Sequence, residues 1–487
     1  MTTPLMVTAS AGLVIALLFQ ASASAVQNAQ PLPRIRVEGV NLVDENGKPF
    51  ALRGVNFGAW LMLEPWIPNI GTGREHHNET AKAYGIDNQL HEALTEIGPF
   101  NDDVELIQDY LARLKAALAK RVPPEKAQAF GGHLEREPVL GDADTWWSFL
   151  EQRFGAAGMS RLRNTYQANW ITELDIANVK ALGLNFIRLP FWYRILEDDD
   201  RPYVYKSDGW QILDHFISLC RQHRIYVMLD LHGVQGCQGP WGHTGRSGHN
   251  ELWSDPENQA RAVALWRAIA KRYCDEPTVV AYDLMNEPFG APTLEALTSI
   301  YDRIYKAIRE VDARHIIAME DGYKYEGKMP DPRDFGWKNI IYSNHFYERA
   351  DDLAGHKAHA DRIAATGVKW AHRWGVPIYF GEFSMMNVLP FGMEALSYYL
   401  EQFNKSGINW SPWTFKKVDL PEHKSVWGVY EYSGDWMRPN LYHDSLQAIA
   451  AKLESLHSRN FTANEEYASV LRRRAADAVV SVPEAPM

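Results

Sequence analysis

Hydrophobic and polar positions follow one repeated pattern along most of the chain. An amphipathic stretch with helical periodicity precedes a short β-branched or aromatic run that ends in polar or charged residues. Eight such runs occur, at Ala51–Phe57, Asn185–Phe191, Tyr226–His232, Val279–Glu287, His315–Glu320, Ile340–Tyr347, Pro377–Glu382 and Ile408–Phe415. Continuous apolar strands that alternate with helices indicate a parallel sheet covered on its outer face, and eight such units close a barrel. The pattern therefore predicts an α/β fold in which one domain, residues 26–456, forms a (β/α)8 TIM barrel.

Two further segments flank the barrel strands. Ile35–Val43 and the run that begins at Phe50 lie on either side of residues 45–48, where an Asn-Gly pair predicts the turn of an N-terminal β-hairpin. We expect this hairpin to plug the floor of the barrel. At the other end, the tail at 457–487 shows no clear packing face, and we expect it to be loosely docked or disordered.

A long charged segment with helix-forming composition, residues 68–144, interrupts the repeat after the first strand. The loops at the carboxyl ends of barrel strands carry function, so this helical insertion belongs to the active-site face. We expect it to shape the pocket. The alternative is a solvated helical hairpin that makes no contact with a substrate.

The first 25 residues have the composition of a signal peptide. An apolar stretch at Gly12–Phe19 runs into the small residues Ala21–Ala25, a pattern suited to signal peptidase. We therefore expect a secreted or periplasmic protein, with a retained N-terminal anchor as the alternative. No other segment reaches the roughly 20 apolar residues that a membrane span needs, so stable membrane insertion is not expected.

Charge and aromatic content narrow the class of partner. The formal net charge of -11 argues against nucleic acid, since proteins that bind polyanions present basic patches. A neutral substrate is more compatible with this net negative charge than a polyanion is. The chain has 17 Trp and 22 Tyr, and aromatic faces are suited to stacking on sugar rings, although many of them serve packing. The three cysteines, Cys220, Cys237 and Cys274, allow at most one disulfide, and their spacing fits no zinc pattern.

Polar side chains stand at the ends of six predicted strands, where a barrel places its chemistry. They are Arg188, His232, Asn286, Glu287, His345, Tyr347, Glu382 and Trp413. Glu287 and Glu382, on strands 4 and 7, would face each other across the barrel mouth. A carboxylic acid pair of this kind cleaves glycosides either about 5 Å apart with one acid as nucleophile, or further apart with a water between them.

The neighbours of the two acids predict different roles. Arg188 and the hydroxyl of Tyr347 can stabilise Glu382 as an anionic nucleophile. Glu287 must start protonated to act as general acid, and burial beside a negative charge favours that state.

The remaining strand-end residues can bind a sugar. His232 and His345 can hydrogen-bond to hydroxyls or orient the acids, and Asn286 can hold the 2-hydroxyl, whose hydrogen bond strengthens at the transition state. Trp413 offers a platform for the ring.

Two alternatives of other classes follow from the same sequence. The histidines at His76-His77 and His243–His249 suggest a metal-dependent hydrolase as one alternative. However, loosely spaced histidines on polar loops are usually solvated, and no carboxylate accompanies these at ligand spacing. We therefore expect no metal and no cofactor. A carbohydrate-binding protein on a decayed barrel would be expected to lack a catalytic acid, whereas both Glu287 and Glu382 are present.

Motifs at the predicted strand ends resemble glycoside hydrolase family 5. They are Arg53-Gly54-Val55-Asn56, Leu184-Asn185-Phe186-Ile187-Arg188-Leu189-Pro190, Asp230-Leu231-His232-Gly233, Leu284-Met285-Asn286-Glu287-Pro288, His345-Phe346-Tyr347 and Gly381-Glu382-Phe383. The resemblance implies a (β/α)8 fold, retention of anomeric configuration and catalysis without metal. It implies the same roles for the eight strand-end residues as those argued above.

Within that family the chain is similar to the exo-β-1,3-glucanase branch, through residues 60–67 and 144–174. The resemblance implies that Glu64 binds a terminal glucose. It also favours exo-β-1,3-glucosidase action on β-glucan. Gly58-Ala59-Trp60 departs from the Gly-Gly-Trp of the branch, and the loop from Gly233 to Gly248 is richer in His and Gly. An endo-acting β-1,4- or β-1,6-glucanase and a glucolipid β-glucosidase are therefore the alternatives.

Overall fold

A computed structural model describes residues 31–71, 81–98, 107–385, 391–419 and 427–484. The signal peptide predicted at 1–25 and the pair His76-His77 lie outside these residues. The strands are β1 Ile35–Glu38, β2 Asn41–Asp44, β3 Pro49–Phe50, β4 Gly54–Asn56, β5 Phe186–Trp192, β6 Tyr226–Gly233, β7 Val279–Asp283, β8 Ile316–Glu320, β9 Ile340–Glu348, β10 Ile378–Met385, β11 Asn409–Trp410, β12 Lys416–Lys417, β13 Tyr430–Tyr432 and β14 Phe461–Ala463. The helices are α1 Asp87–Ile97, α2 Ile107–Ala119, α3 Pro124–Arg136, α4 Ala143–Trp170, α5 Glu173–Ala181, α6 Ser207–His223, α7 Pro256–Tyr273, α8 Leu294–Arg309, α9 Pro332–Phe335, α10 Leu353–Trp374, α11 Gly392–Lys405, α12 Leu446–Glu454 and α13 Glu465–Ala475.

The eight predicted strands form one sheet in the order in which they occur in the chain, β4 to β11, and every neighbouring pair is parallel. A parallel bridge between Arg53 and Trp410 joins its two edges, and the Trp410 amide donates to the Leu52 carbonyl at 3.0 Å. The prediction of a (β/α)8 barrel is confirmed. All strands of such a barrel point the same way, so their carboxyl ends meet at one mouth.

Three predicted strands are shorter than the sequence pattern, and two of them end several residues early; the third, predicted at Ala51–Phe57, is a strand over Gly54–Asn56. The run at Val279–Glu287 leaves the strand after Asp283, and Glu287 has a left-handed backbone with φ of 42°. The run at Ile408–Phe415 is a strand over Asn409–Trp410 alone. Both strands end early at the mouth of the barrel. The sequence remains apolar beyond the end of each strand, but the backbone turns there and presents side chains to the site.

The N-terminal segment forms the predicted hairpin and one further turn. Strands β1 to β3 are antiparallel, with one turn at Gly39 and another at Gly47, both at positive φ. The sequence pattern had indicated one continuous strand before the Asn-Gly turn. Leu32 and Leu42 pack with Phe186 and other barrel residues in one apolar cluster, so the hairpin covers the end of the barrel opposite the mouth.

The insertion forms a small core of its own. Buried apolar residues from α1 to α3 pack together, including Leu90, Leu114 and Phe130. This cluster is separate from the main core that surrounds the barrel sheet. The described part of the insertion is thus a helical unit attached to the barrel.

The C-terminal tail packs against the barrel, and the expectation of a loosely docked end at 457–487 is wrong for its described residues. Strand β14 pairs antiparallel with β13, and helix α13 buries Tyr467 and Leu471. Arg53 donates to the carbonyl oxygens of Ala475 and Ala478, each at 3.0 Å. The apolar positions of α13 recur at spacings of three and four residues, so a short packing face was present in the sequence.

Two smaller expectations concern cysteines and membranes. Cys220, Cys237 and Cys274 are all free, and the first two are buried. Within the described chain, no helix combines the length and the apolar character that crossing a membrane requires.

Candidate active site at the barrel mouth

A cavity of about 350 Å³ opens at the carboxyl ends of the barrel strands. It is lined by Glu64, Trp66, His232, Trp241, His243, Asn286, Glu287, Phe289, Tyr323, Tyr347, Arg349, Glu382, Trp413 and Trp427. Seven of the nine predicted site residues are in this lining, and the other two, Arg188 and His345, lie buried against Glu382 and Glu287. The structure therefore brings all nine predicted residues into one site.

Arg188 is the fully buried centre of the charge network. Its Nη1 lies 2.5 Å from Glu382 Oε1, its Nε 2.8 Å from Asp283, and its Nη2 2.9 Å from Glu320. Asp230 is the fourth carboxylate, at 3.1 Å. Burial lowers the pKa of Arg188, but these four carboxylates outweigh burial and raise its pKa well above the ordinary value. The guanidinium is a permanent positive charge beneath the site.

Glu382 has an anion-stabilising partner on each oxygen. Arg188 binds Oε1, and the hydroxyl of Tyr347 donates to Oε2 at 2.8 Å. Hydrogen bonds from a cation are about twice as strong as neutral ones and favour the ionised carboxylate. Glu382 is thus oriented by a cation on one oxygen and by a hydroxyl on the other.

Glu287 is held through its backbone and through one carboxylate oxygen. Its amide donates to Glu320 Oε2 at 2.7 Å, which fixes the left-handed turn. His345 Nδ1 lies 2.8 Å from Oε1, and the hydroxyl of Tyr323 donates to the same oxygen at 3.0 Å. The second oxygen, Oε2, lies 3.4 Å from His243 Nε2.

The protons of this cluster are distributed differently from the sequence expectation. Burial raises the pKa of Glu287, but the hydrogen bond from His345, the charges of His243 and His345, and the hydrogen bond from Tyr323 outweigh burial and lower it to about 2. Burial lowers the pKa of His345, but Glu320 and Glu382 raise it well above its ordinary value. The proton between Glu287 and His345 therefore lies on the imidazole in the unliganded protein, whereas Glu287 was expected to be protonated.

Glu320 has a raised pKa. Burial is the main reason that its pKa is raised to about 8, and the nearby Asp283 adds to this effect. Its Oε1 lies 3.3 Å from His345 Nε2 and 2.9 Å from Arg188.

The two acids are close enough to act on one bond directly. One oxygen of Glu287, one oxygen of Glu382 and one ring nitrogen of His345 all lie within 4.8 Å of one another. Retaining glycosidases have carboxyl groups about 5 to 5.5 Å apart, and inverting ones leave about 6.5 to 9.5 Å for a water. The observed proximity favours direct attack by one carboxylate.

His232 and Asn286 form a fixed polar wall. His232 Nδ1 lies 2.7 Å from Asp230, its Nε2 lies 3.3 Å from the amide of Asn286, and its ring stacks on Trp413 at 5.6 Å. Burial is the main cause that lowers the pKa of His232 to about 3, so the imidazole is neutral. Asn286 also accepts from Arg188 at 2.9 Å, which holds its side chain at the mouth.

Glu64 lies at the far wall of the cavity and is 4% exposed. The indole of Trp66 donates to its Oε2 at 3.1 Å. The ring of Trp427 lies 5.5 Å from that of Trp66 and 5.5 Å from that of Tyr347. A carboxylate framed by aromatic rings can bind the hydroxyls of a single sugar.

The described residues of the insertion do not line the cavity, contrary to the expectation that residues 68–144 wall the pocket. The walls come instead from Glu64 and Trp66, just before the insertion, and from Trp427. The insertion reaches the site indirectly, since its last residues hold the loop at 242–247.

Sequence reasoning missed several residues of the site. Glu320 ends a predicted strand, so the rule that identified Glu382 would also have identified it. His243 was expected to be solvated on a polar loop, but it is 4% exposed and lies beside Glu287. Asp230 and Asp283 sit within apolar strand runs, where only their contact with Arg188 reveals their role.

Among the residues that the structure describes, two groups of side chains place ligand atoms near enough to hold a metal ion. They are Asp230, His232 and Glu382, and Glu287, His345 and Glu382. Both groups share Glu382. Arg188 already binds that carboxylate and Asp230. The guanidinium thus occupies the electrostatic position that a cation would take.

Comparison with known proteins places the chain among glycoside hydrolases. The model of the cellulase family, glycosyl hydrolase family 5, matches residues 148–419. A beta-xylosidase of Phanerodontia chrysosporium is 28% identical over 439 residues, which cover 85% of this chain and 75% of that protein. A probable glucan 1,3-beta-glucosidase A of Aspergillus fumigatus is 28% identical over 250 residues, 46% of this chain and 58% of that protein. The structure of a rutinosidase from Aspergillus niger, 15% identical with a TM-score of 0.50, covers 78% of this chain and 93% of that one and shows the same fold.

The buried carboxyl of Glu320 predicts a pH dependence of stability. A group whose pKa is raised on folding stabilises the folded state below its ordinary pKa of 4.5, and that contribution is lost as pH rises through about 8. Between about pH 5 and about pH 9, the melting temperature of the parent should therefore fall relative to that of Glu320→Gln. Glu45→Gln, on an exposed turn, should follow the parent at every pH. A difference between parent and Glu320→Gln that does not vary with pH would contradict a raised pKa.

Proposed function

This chain belongs to glycosyl hydrolase family 5, the cellulase family, and from its site we propose that it hydrolyses β-glucosides with retention of configuration. Glu382 acts as the nucleophile and Glu287 as the acid/base. The observation that carries this proposal is the pairing of two carboxylates with opposite surroundings within 4.8 Å. One accepts a hydrogen bond from the guanidinium of Arg188, and the other shares a proton with His345.

In the first step, a carboxylate oxygen of Glu382 attacks the anomeric carbon and the bond from that carbon to the leaving oxygen breaks. Glu287 gives a proton to the departing oxygen, so the aglycone leaves as a neutral alcohol. The product is a glycosyl ester on Glu382. The amide of Asn286, fixed by Arg188, is placed to bind the sugar 2-hydroxyl, where a hydrogen bond strengthens as positive charge develops on the ring.

In the second step, Glu287 takes a proton from a water while that water attacks the anomeric carbon. The ester bond to Glu382 breaks, and the nucleophile returns to its carboxylate form. Two inversions at one carbon restore the β configuration.

The charge network explains how Glu287 obtains its proton. The charges of Glu320 and Glu382 help to hold the proton on His345. As Glu382 loses its charge to the forming ester, the pKa of His345 falls, and the proton of His345 passes to Glu287 across the 2.8 Å contact while Glu287 gives a proton to the leaving oxygen. Glu287 is then an unprotonated base for the second step. Regeneration of the Glu382 carboxylate reverses the transfer.

The substrate is a β-glucan from which single glucose units are removed at non-reducing ends, most simply a β-1,3-glucan. Glu64, Trp66 and Trp427 close the cavity on the side of Tyr347, which leaves room for one sugar there. The similarity to a probable glucan 1,3-beta-glucosidase supports the linkage. The alternative sugar is xylose, because the relative that aligns with 85% of this chain is named a beta-xylosidase.

The nucleophile is tested with Glu382→Gly on an aryl β-glucoside with a good leaving group. Turnover should be abolished, and azide should restore it by attacking the vacated face, which gives an α-glucosyl azide. Glu287→Ala is the matched control, since azide there attacks the intermediate on Glu382 and gives a β-glucosyl azide. Glu382→Gly with parental activity, or the same azide anomer from both variants, would refute the assignment.

The closed pocket is tested by following the products of laminarin with time. Glucose should be the only early product, and Glu64→Ala should lower kcat/KM by roughly tenfold or more, because a charge-assisted hydrogen bond to a hydroxyl contributes about 1.5 to 3 kcal/mol. Parallel assays with aryl β-glucoside and aryl β-xyloside decide between the two sugars. A ladder of oligosaccharides in the first minutes would show an open cleft and an endo-acting enzyme.

A further inference from the structure

We propose that His243 is a positioning residue of the acid/base Glu287, and that the segment where the insertion returns to the barrel holds it beside Glu287 Oε2. This inference rests on the proposed role of Glu287. It assigns a role to His243 and to the junction at residues 142–144.

The two oxygens of Glu287 have different surroundings. His345 and Tyr323 both contact Oε1, at 2.8 and 3.0 Å. In the part of the chain that the structure describes, the polar neighbour of Oε2 is His243 Nε2, at 3.4 Å. Because Oε1 carries both hydrogen bonds, Oε2 is the oxygen placed to exchange a proton with the glycosidic oxygen or with the attacking water. His243 lies where it can influence that exchange.

The loop that carries His243 is built to keep the ring inside. His243 lies on a short 3-10 turn, Gly242–Thr244, and is 4% exposed. The hydroxyl of Thr244 donates to the carbonyl oxygens of Gly239 and Trp241, at 3.0 and 2.8 Å, which closes the turn on itself. The ring of Trp241 lies 6.1 Å from the imidazole. These contacts direct the imidazole into the cavity.

The junction between the insertion and the barrel, residues 142–144, contacts the loop that carries His243. The Asp144 amide donates to the Gly245 carbonyl at 2.9 Å, and the Ser247 amide donates to Asp142 Oδ2 at 3.1 Å. Arg246 Nε lies 3.2 Å from Asp144 Oδ2. Three contacts therefore join residues 142–144 to the loop at 245–247.

The two carboxylate oxygens of Asp142 accept hydrogen bonds from different elements. Oδ1 accepts from the Thr145 amide at 2.8 Å and caps helix α4, whereas Oδ2 accepts from Ser247. Asparagine at this position can keep the cap through its oxygen, but its NH2 group cannot accept from the Ser247 amide. Asp142→Asn thus separates the contact to the loop from the stability of the helix.

The charges that face this pair come from several elements. Besides Glu287, His243 faces His232 at a ring distance of 6.4 Å, and Arg246, Asp142 and Asp144 surround its loop. Glu287 faces His345, Tyr323, Glu320 and Glu382 on its other sides. A positive charge on His243 favours the anionic form of Glu287 and is one cause of its lowered pKa. Removal of the imidazole should therefore raise the pKa of Glu287.

The test titrates Glu287 directly by carbon NMR in protein labelled at the glutamate δ-carbon, with Glu287→Gln to assign the resonance. In His243→Gln the midpoint should move up by about one pH unit relative to the parent, since an opposite charge within about 4 to 6 Å lowers a carboxyl pKa by about 1 to 3 units. His249→Gln, on the same loop but half-buried and paired with Glu251, is the control and should titrate like the parent. An unchanged midpoint in His243→Gln would overturn the proposal.

Asp142→Asn tests the junction and covers the case in which His243→Gln does not fold. It should raise the midpoint in the same direction by a smaller amount, with a melting temperature close to that of the parent because the cap is kept. A parental midpoint in Asp142→Asn would overturn the proposed role of the junction.

The same variants should move the alkaline limb of kcat/KM for a poor leaving group to higher pH, because the Glu287–His345 pair keeps its shared proton to higher pH once the positive charge of His243 is removed or displaced. A limb that stays at the parental pH in His243→Gln would count against the proposal. The NMR titration needs no substrate, so absence of β-glucosidase activity in the parent would refute the proposed function without deciding the titration.

Discussion

One buried guanidinium determines the arrangement of the active site. Arg188 lies inside the barrel and contacts carboxylates from four strands, on Asp230, Asp283, Glu320 and Glu382. A buried charge is costly unless it is paired and hydrogen-bonded, and removal of one partner leaves the others uncompensated. The barrel can therefore bury Arg188 only if these acids are placed around it. That requirement orders the strand ends around the reaction centre.

The surplus of negative charge around Arg188 gives the two carboxylates that we propose to be catalytic different surroundings. Glu382 takes a direct bond from the guanidinium, whereas Glu287 lies beyond it and relies on His345, Tyr323 and Glu320. Since His345 holds a proton in the unliganded protein, the site is charged before substrate binds. In the proposed mechanism, conversion of Glu382 to an ester changes this balance and releases a proton toward the leaving group. The network thus links the state of the nucleophile to that of the acid.

Much of the fold and part of the site could be predicted from the sequence, for physical reasons that differ by residue. Buried parallel strands must be continuously apolar, so their runs predicted the barrel, and polar residues that end such runs had to lie at the mouth, as Glu382 and His345 do. The protonation state of Glu287 could not be predicted, because it depends on distances to His345 and His243. The expectation for the tail was wrong because the packing face of helix α13 is short and is followed by three arginines.

The described part of the helical insertion does not line the cavity, and we propose that it acts on the site through the loop that carries His243. Helices α1 to α3 pack in a separate core, and residues 142–144 hydrogen-bond to the loop at 245–247. The central claim remains the direct attack of Glu382, and the stereochemistry of the first product tests it most directly. Proton NMR of an aryl β-glucoside digest resolves the two anomers of the released sugar before they interconvert. The account predicts that the β-anomer appears first and the α-anomer only later, by mutarotation. Initial release of the α-anomer would show a single displacement by water and would contradict the account.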